Sequence, residues 1–128
     1  MNSEVTEGIE VSVVNDFVPR LSRPAFGYFV FTYDITITNN NDYPVQLMSR
    51  KWFCVDSTGE VDMVEGEGVV GVKPELQPGE TYTYQSGTHF TSPIGKMTGS
   101  YTFINKTTEE EFDVSIPEFQ LVVPFVLN

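Results

Sequence analysis

The sequence has little of what most catalytic and metal-binding sites require. Its 128 residues include one cysteine, Cys54, and one histidine, His89. A single cysteine excludes an internal disulfide and zinc sites built from paired thiols, and it is typical of a reducing compartment. The sequence contains no Gly-x-Ser-x-Gly elbow and no His-Glu-x-x-His motif. We therefore expect a non-enzymatic protein with no catalytic residues and no cofactor.

Positive charge is also scarce. The chain has 7 Lys plus Arg against 18 Asp plus Glu, which gives a formal net charge of −11. Such a surface repels phosphate backbones and anionic lipids, so nucleic-acid and membrane partners are not expected. The start "MNSEVTEGIE" lacks a basic and apolar signal segment, and the longest apolar run, "LVVPFVL", is too short to span a bilayer. These features predict a cytoplasmic protein, monomeric or homodimeric, whose partner is another, unidentified protein.

Alternating apolar and polar residues are the clearest pattern in the sequence. In "GYFVFTYDITIT", residues 27–38, every second side chain from Phe29 to Ile37 is apolar, which predicts a strand with one buried face. Similar short segments begin near residues 9, 45, 60, 81, 99 and 111, and no apolar repeat of helical period runs for ten residues. In residues 45–56, Val45 and Leu47 are out of phase with Trp52, so the register is uncertain and a bulge is expected near Ser49 and Arg50.

Seven to eight short strands separated by Pro- and Gly-rich turns predict an all-β fold. We expect an immunoglobulin-like, fibronectin type III-like antiparallel β-sandwich, with a closed barrel as the alternative. The predicted organisation is an N-terminal tail at residues 1–8 and a single domain at residues 9–127.

The segment "VEGEGVVG" contains the spacing Gly66-x-Gly68-x-x-Gly71, which is found in loops that bind dinucleotide pyrophosphates. Such loops require a helix immediately after the glycines, but the following "VVGVKPELQPGE" contains two prolines. Glu65 and Glu67 also place negative charge where phosphates would sit. The glycines are therefore expected to serve the backbone, by allowing positive φ or a close approach.

The chain as a whole resembles a known family. Four blocks carry the resemblance: "VQLMSRKWFCVDSTGE", "VEGEGVVGVKPELQPGE", "YQSGTHFTSPIGKMTGSY" and "FDVSIPEFQLVVP". Together they look like the ApaG family, also called CorD, over about residues 9–127. Lys51 and Lys73 depart from the family pattern, where a ring residue and Gln are more usual.

The resemblance implies a fibronectin-III-like sandwich and supplies no established catalytic residues. It also implies an association with cobalt resistance and magnesium efflux, and a protein-binding role in eukaryotic relatives. We expect the partner-binding loop to include Gly66, Gly68, Gly71, Arg50, Lys51 and Lys73, because rigid sandwich loops commonly carry recognition and Arg is a favoured interface anchor.

The residues allow two other functions. Asp62, Glu65 and Glu67 could hold a divalent cation weakly, although acidic runs usually just face water. A sensor that binds a nucleotide polyphosphate or a divalent cation through the Gly66–Gly71 loop and the acidic hairpin is therefore the alternative function. Cys54 with His89 could form a nucleophile and base, but a buried, unreactive cysteine in a strand is more common.

Overall fold

The fold is a sandwich of two antiparallel sheets. A computed structural model of the protein describes residues 2–124, so the end of the predicted domain, residues 125–127, and part of "LVVPFVL" lie outside the described residues. Within them the strands are β1 (Asn2–Thr6), β2 (Ile9–Phe17), β3 (Phe29–Asn39), β4 (Val45–Asp56), β5 (Val61–Glu67), β6 (Glu75–Leu76), β7 (Thr81–Phe90), β8 (Ile94–Asn105) and β9 (Glu111–Val122).

The first sheet has the order β1-β2-β3-β7, and the second has the order β5-β4-β8-β9 with β6 paired to β4. This arrangement confirms the all-β sandwich and is consistent with the fibronectin-like topology. The count of nine strands in residues 2–124 exceeds the predicted seven to eight, because β6 is only two residues long and β1 lies in the predicted tail. None of the helical segments in the described part of the chain is long and apolar enough to cross a membrane.

Residues 2–6 differ from the tail that the sequence suggested. They pair with β2 from Asn2 opposite Val13 to Thr6 opposite Ile9. Four of the five side chains of β1 are exposed, so the strand has no apolar alternation that would reveal it. Its place in the sheet comes from backbone pairing, which leaves no pattern in the sequence.

The core forms where the inner faces of the two sheets meet. The alternation in β3 is confirmed, since Phe29, Phe31, Tyr33, Ile35 and Ile37 are all buried. From the second sheet, Trp52 and Phe119 meet Tyr33 with ring centroids 5.5 and 5.8 Å away. Burial of these large apolar faces is the main force that holds the sheets together.

The predicted irregularity in β4 is present. The pairing of β4 with β8 shifts register between Leu47 and Ser49. The shift lets Leu47 before it and Trp52 after it both point into the core, although they are an odd number of residues apart. On the far side of the sheet, β9 continues through Pro117, so residues 118–122 extend this strand and do not form a separate one.

Candidate functional site

The candidate site is centred on the glycine turn, which we define as residues 66–72 at the end of β5. Val69 and Val72 exchange two backbone hydrogen bonds of 2.8 and 3.0 Å. Between them, Val70 and Gly71 both have positive φ, at 47° and 81°. This is the geometry of a two-residue hairpin turn with left-handed central residues. Gly71 adopts it freely, whereas the β-branched Val70 is strained, at a cost of about 1–3 kcal/mol.

The other two glycines allow close approaches. A Cβ on Gly68, whose φ is +61°, would lie 2.2 Å from the Val72 carbonyl oxygen. A Cβ on Gly66 would lie 2.7 Å from a guanidinium nitrogen of Arg50. Gly66 is itself part of β5, directly opposite Arg50 on β4. The spacing Gly66-x-Gly68-x-x-Gly71 is thus accounted for by the backbone and by one packed side chain.

Hydrogen bonds from Arg50 hold the turn against the sheet. Its Nη1 donates hydrogen bonds of 3.0 Å to the carbonyl oxygens of both Glu67 and Gly68. The Gly68 amide is held separately by the Met48 carbonyl oxygen at 2.9 Å. Arg50 thus has a positioning role in this structure, which the sequence analysis did not assign to it.

Arg50, Lys51 and Gly66 line one open cavity of about 580 Å³ on the second sheet, and Lys73 is not among its lining residues. The side chains of Arg50 and Lys51 nevertheless point in different directions. Successive residues of a strand point to opposite faces, so Lys51 lies on the outer face of the second sheet. There its Nζ is 3.8 Å from Glu65 and 5.4 Å from the centre of the Phe53 ring. The Lys73 Nζ is 3.5 Å from Glu67. Both residues that depart from the family pattern are therefore paired with an acidic residue, Lys51 with Glu65 next to the glycine turn and Lys73 with Glu67 within it.

The structure lacks the context that a pyrophosphate-binding loop needs. The glycines are followed by the Val69–Val72 turn and the two-residue strand β6, and no α-helix lies anywhere in residues 67–124. Helix N-terminal amides, which bind phosphates in dinucleotide folds, are absent from this stretch. No observation on the described residues favours the nucleotide alternative.

The three acidic candidates for a cation are also separated. Asp62 pairs with Cys54, whereas Glu65 pairs with Lys51 and Glu67 with Ser49. By the alternation of β5, Asp62 points toward the inner side of the sandwich edge, and the two glutamates point outward. Residues 2–124 contain no group of three His, Cys, Asp or Glu side chains arranged to hold a metal ion.

Cys54 and His89 do line one cleft, together with Asp62 and Val64, in a cavity of about 280 Å³ between β5 and β7. Burial, and secondarily the negative charge of Asp62, raise the pKa of the Cys54 thiol. A raised pKa keeps the thiol neutral near pH 7, which is the opposite of what a nucleophilic cysteine needs. The imidazole of His89 packs against the Tyr28 ring, with the ring centroids 5.0 Å apart and the planes tilted by 36°.

A group of tyrosines lies under the glycine turn. A second cavity, of about 190 Å³, is lined by Tyr33, Arg50, Trp52, Val69, Tyr84 and other residues. The hydroxyl groups of Tyr84 and Tyr101 are hydrogen-bonded to each other in the core. Burial is the largest cause that raises the pKa of Tyr33, Tyr84 and Tyr101. These phenols are therefore neutral structural groups beneath the turn.

Exposed apolar side chains surround the turn, and they were not predicted from the sequence. Val70 is 63% exposed, and Val61 and Met63 on β5 are 58% and 55% exposed. Val64 and Val72 are also exposed. The sequence did contain a sign of them. The segments "VDMV" and "GVVGV" have apolar residues on both faces, and the other strands already supply a complete core.

Comparison with known proteins places this geometry in context. The profile of the ApaG domain family matches residues 19–105. Protein ApaG of Bdellovibrio bacteriovorus is 46% identical over 112 residues, which are 88% of this chain and 87% of that protein. Protein ApaG of an Anaeromyxobacter species is 44% identical over 128 residues and 100% of both chains. A solved structure of a Bordetella pertussis protein designated ApaA has a TM-score of 0.88 and 41% identity, and covers 91% of this chain and 94% of that one.

Proposed function

Because this chain belongs to the ApaG domain family, we propose that it is a non-enzymatic binding module that recognises another protein through its glycine turn. The relatives' names state no enzymatic activity. In the described residues, neither the neutral Cys54 thiol nor the separated carboxylates are arranged for catalysis.

The observation that carries the proposal is Val70. It combines a strained, left-handed backbone with a side chain that is 63% exposed at the tip of the turn. Asn or Gly at this position would relieve the strain, so a valine here is costly for the fold. Strained residues that their surroundings hold in place are concentrated at binding sites. An apolar side chain held rigidly in solvent is suited to fill a pocket on a partner.

The finer elements of the proposal follow from the family resemblance. The module works in the cytoplasm, and it contributes to cobalt resistance and magnesium efflux by contacting a protein partner.

The proposal is tested with Val70→Asn. Asparagine tolerates the left-handed conformation, so we expect the free energy of unfolding to rise by about 1 kcal/mol as strain is released. Binding should fall at the same time, because the apolar contact is lost. Tagged wild-type and variant proteins would be used to capture partners from the source organism, with quantitative mass spectrometry and urea unfolding as the readouts.

The matched control is Val14→Asn, which removes an exposed valine, 46% accessible, from β2. We expect one partner to be captured by the wild type and by Val14→Asn, and at least tenfold less of it by Val70→Asn. Capture of no specific partner, or equal capture by all three proteins, would contradict the proposed function.

A further inference from the structure

Within residues 2–124, β5 is paired with β4 alone, so its other edge is open. The hydrogen bonds to β4 show which backbone groups of β5 point away from the sheet. At one end of the β4–β5 hairpin, the Asp56 amide donates to the Glu60 carbonyl oxygen at 3.2 Å. At the other end, the Gly68 amide donates to the Met48 carbonyl oxygen at 2.9 Å. Hydrogen-bonded pairs alternate along an antiparallel ladder, so the even-numbered residues of β5 bond to β4. The amides and carbonyls of Val61, Met63 and Glu65 therefore point away from the sheet.

This edge faces a cleft, because β5 and β7 are the edge strands of their sheets on the same side of the sandwich. The cavity of about 280 Å³ lies between them. Its volume has room for a few side chains of a strand laid along β5. Side chains of such a strand would alternate between this cleft and the outer face, where Val61 and Met63 are exposed.

The negative charge of the cleft favours a basic occupant. Asp56, Glu60 and Asp62 line it, and no Lys or Arg does. The Asp56 carboxylate is used by its own turn, where it accepts hydrogen bonds from the Thr58 hydroxyl and amide at 2.6 and 2.9 Å. Glu60 and Asp62 take part in none of the ion pairs formed within residues 2–124. Two carboxylates are thus available to basic side chains that enter the cleft.

We propose that β5 accepts an extended, basic segment of a partner protein as an added strand. In this arrangement the segment's alternate side chains are basic toward Glu60 and Asp62, and apolar over Val61 and Met63. Strand addition of this kind takes its affinity from main-chain hydrogen bonds and its specificity from alternate side chains. A second copy of this chain is disfavoured as the occupant, because each copy has a formal net charge of −11 and would bring like charges together.

This inference rests on the proposed protein-binding function and adds the chemical class of the partner segment. The test uses a fluorescent nine-residue peptide of alternating lysine and valine. Its binding would be measured by fluorescence anisotropy, and the backbone amides of the protein would be followed by NMR. We expect saturable binding that weakens with salt, and the largest amide shifts at Val61, Met63 and Glu65.

Three protein variants separate strand addition from general charge attraction. Met63→Pro removes an outward amide without removing a hydrogen bond to β4, and should lower the affinity at least tenfold. Thr83→Pro places a proline in β7, the other edge strand, at a residue that does not line the cleft, and should leave the affinity within about twofold. The double variant Glu60→Gln with Asp62→Asn keeps the backbone edge intact and should lower the affinity at least fivefold. It tests the contribution of the two carboxylates even if a proline variant fails to fold.

Two further peptides complete the test. An alternating glutamate and valine peptide and a backbone N-methylated form of the lysine peptide should both bind at least tenfold more weakly. Equal binding of the N-methylated peptide, or equal affinity of Met63→Pro and wild type, would overturn strand addition in favour of non-specific attraction. Equal losses of affinity in Thr83→Pro and Met63→Pro would show that a proline in either edge strand weakens binding through the fold, and would also overturn the proposal.

The two proposals can fail separately. If the peptide does not bind but a partner is still lost with Val70→Asn, the strand-addition inference fails and the binding function stands. If the peptide binds as expected but no partner depends on Val70, the glycine-turn proposal fails.

Discussion

The two lateral sides of the sandwich protect their sheet edges in different ways. On one side the edge strands are β1 and β9. The Asn2 side-chain amide donates a hydrogen bond to the Glu118 carbonyl oxygen, and the Ser115 backbone amide donates one to the Thr6 hydroxyl. Pro117, which has no amide hydrogen, lies within β9. On the other side β5 and β7 face a cleft, and β5 exposes apolar side chains between carboxylates.

Exposed edge strands are a general hazard, because unpaired amides and carbonyls can template aggregation. On the side of β1 and β9, which we call the closed side, the two edge strands are linked by the Asn2 and Ser115 hydrogen bonds, and Pro117 removes one amide. The side of β5 and β7 is called the open side. The open side keeps its hydrogen-bonding groups available and discourages unwanted pairing with negative charge. Under the strand-addition proposal, a partner uses the open side and not the closed side.

The largest change in the free energy of unfolding is expected at alkaline pH. Burial is the largest cause that raises the pKa of Tyr33, Tyr84 and Tyr101 above 10.0 and of Cys54 above 9.0. The unfolded chain loses these protons first, so the stability that the neutral groups contribute is complete below about pH 9 and is lost as the pH rises through 10 and above.

Unfolding by guanidinium at pH 7, 9 and 11 would measure this loss, and tyrosine absorbance would report ionisation. We expect ionisation of the buried phenols to coincide with unfolding. The double variant Tyr84→Phe with Tyr101→Phe should show a smaller drop in stability between pH 9 and 11 than the wild type. Reversible ionisation of all tyrosines in a folded protein would contradict the burial argument.

The next effect concerns the turn that ends the open edge. Gly68→Ala combines a strained φ with a Cβ 2.2 Å from the Val72 carbonyl oxygen, so we expect it to lower the free energy of unfolding by about 3 kcal/mol. Gly71→Ala is the matched control, since nothing lies within 4 Å of its added Cβ. Its strain alone should cost about 1 kcal/mol. Urea unfolding of both variants measures the difference, and equal losses would show that the close approach at Gly68 is relieved by a small backbone shift.

A smaller effect distinguishes Arg50 from its neighbour. Arg50→Ala removes two hydrogen bonds from a charged donor to the turn, and we expect a loss of about 2 kcal/mol. Lys51→Ala removes one exposed ion pair and should cost less than about 0.5 kcal/mol. Hydrogen exchange of the Val69 and Val72 amides should also accelerate only in Arg50→Ala. A similar, small loss for both variants would mean that the turn does not need Arg50.

The sequence predicted the sandwich because alternation is a direct consequence of strand geometry. The pattern from Phe29 to Ile37, and the phase change between Leu47 and Trp52, are set by which side chains reach the core, and both were confirmed. Pro74 and Pro78 likewise predicted correctly that no helix follows the glycines.

The site was less predictable because its features depend on neighbours that are distant in sequence. Arg50 was expected on the binding surface, but only the bulged register of β4 shows that it reaches the carbonyls of Glu67 and Gly68. Asp62 and Glu65 are close in sequence, at three residues apart, but in a strand an odd spacing places them on opposite faces of β5. The open edge depends on which strand lies last in the sheet, which local sequence does not encode.

The most direct test of the open side as the binding side is site-specific photo-crosslinking in cells. A photoreactive amino acid would replace Val61 on β5 or Val5 on β1, which are both 58% exposed. Because the two side chains are equally exposed, a difference in adducts shows which side of the sandwich a partner contacts and does not reflect accessibility. The account predicts a discrete protein adduct from position 61 and none from position 5. The same adduct from position 5, or none from position 61, would contradict it.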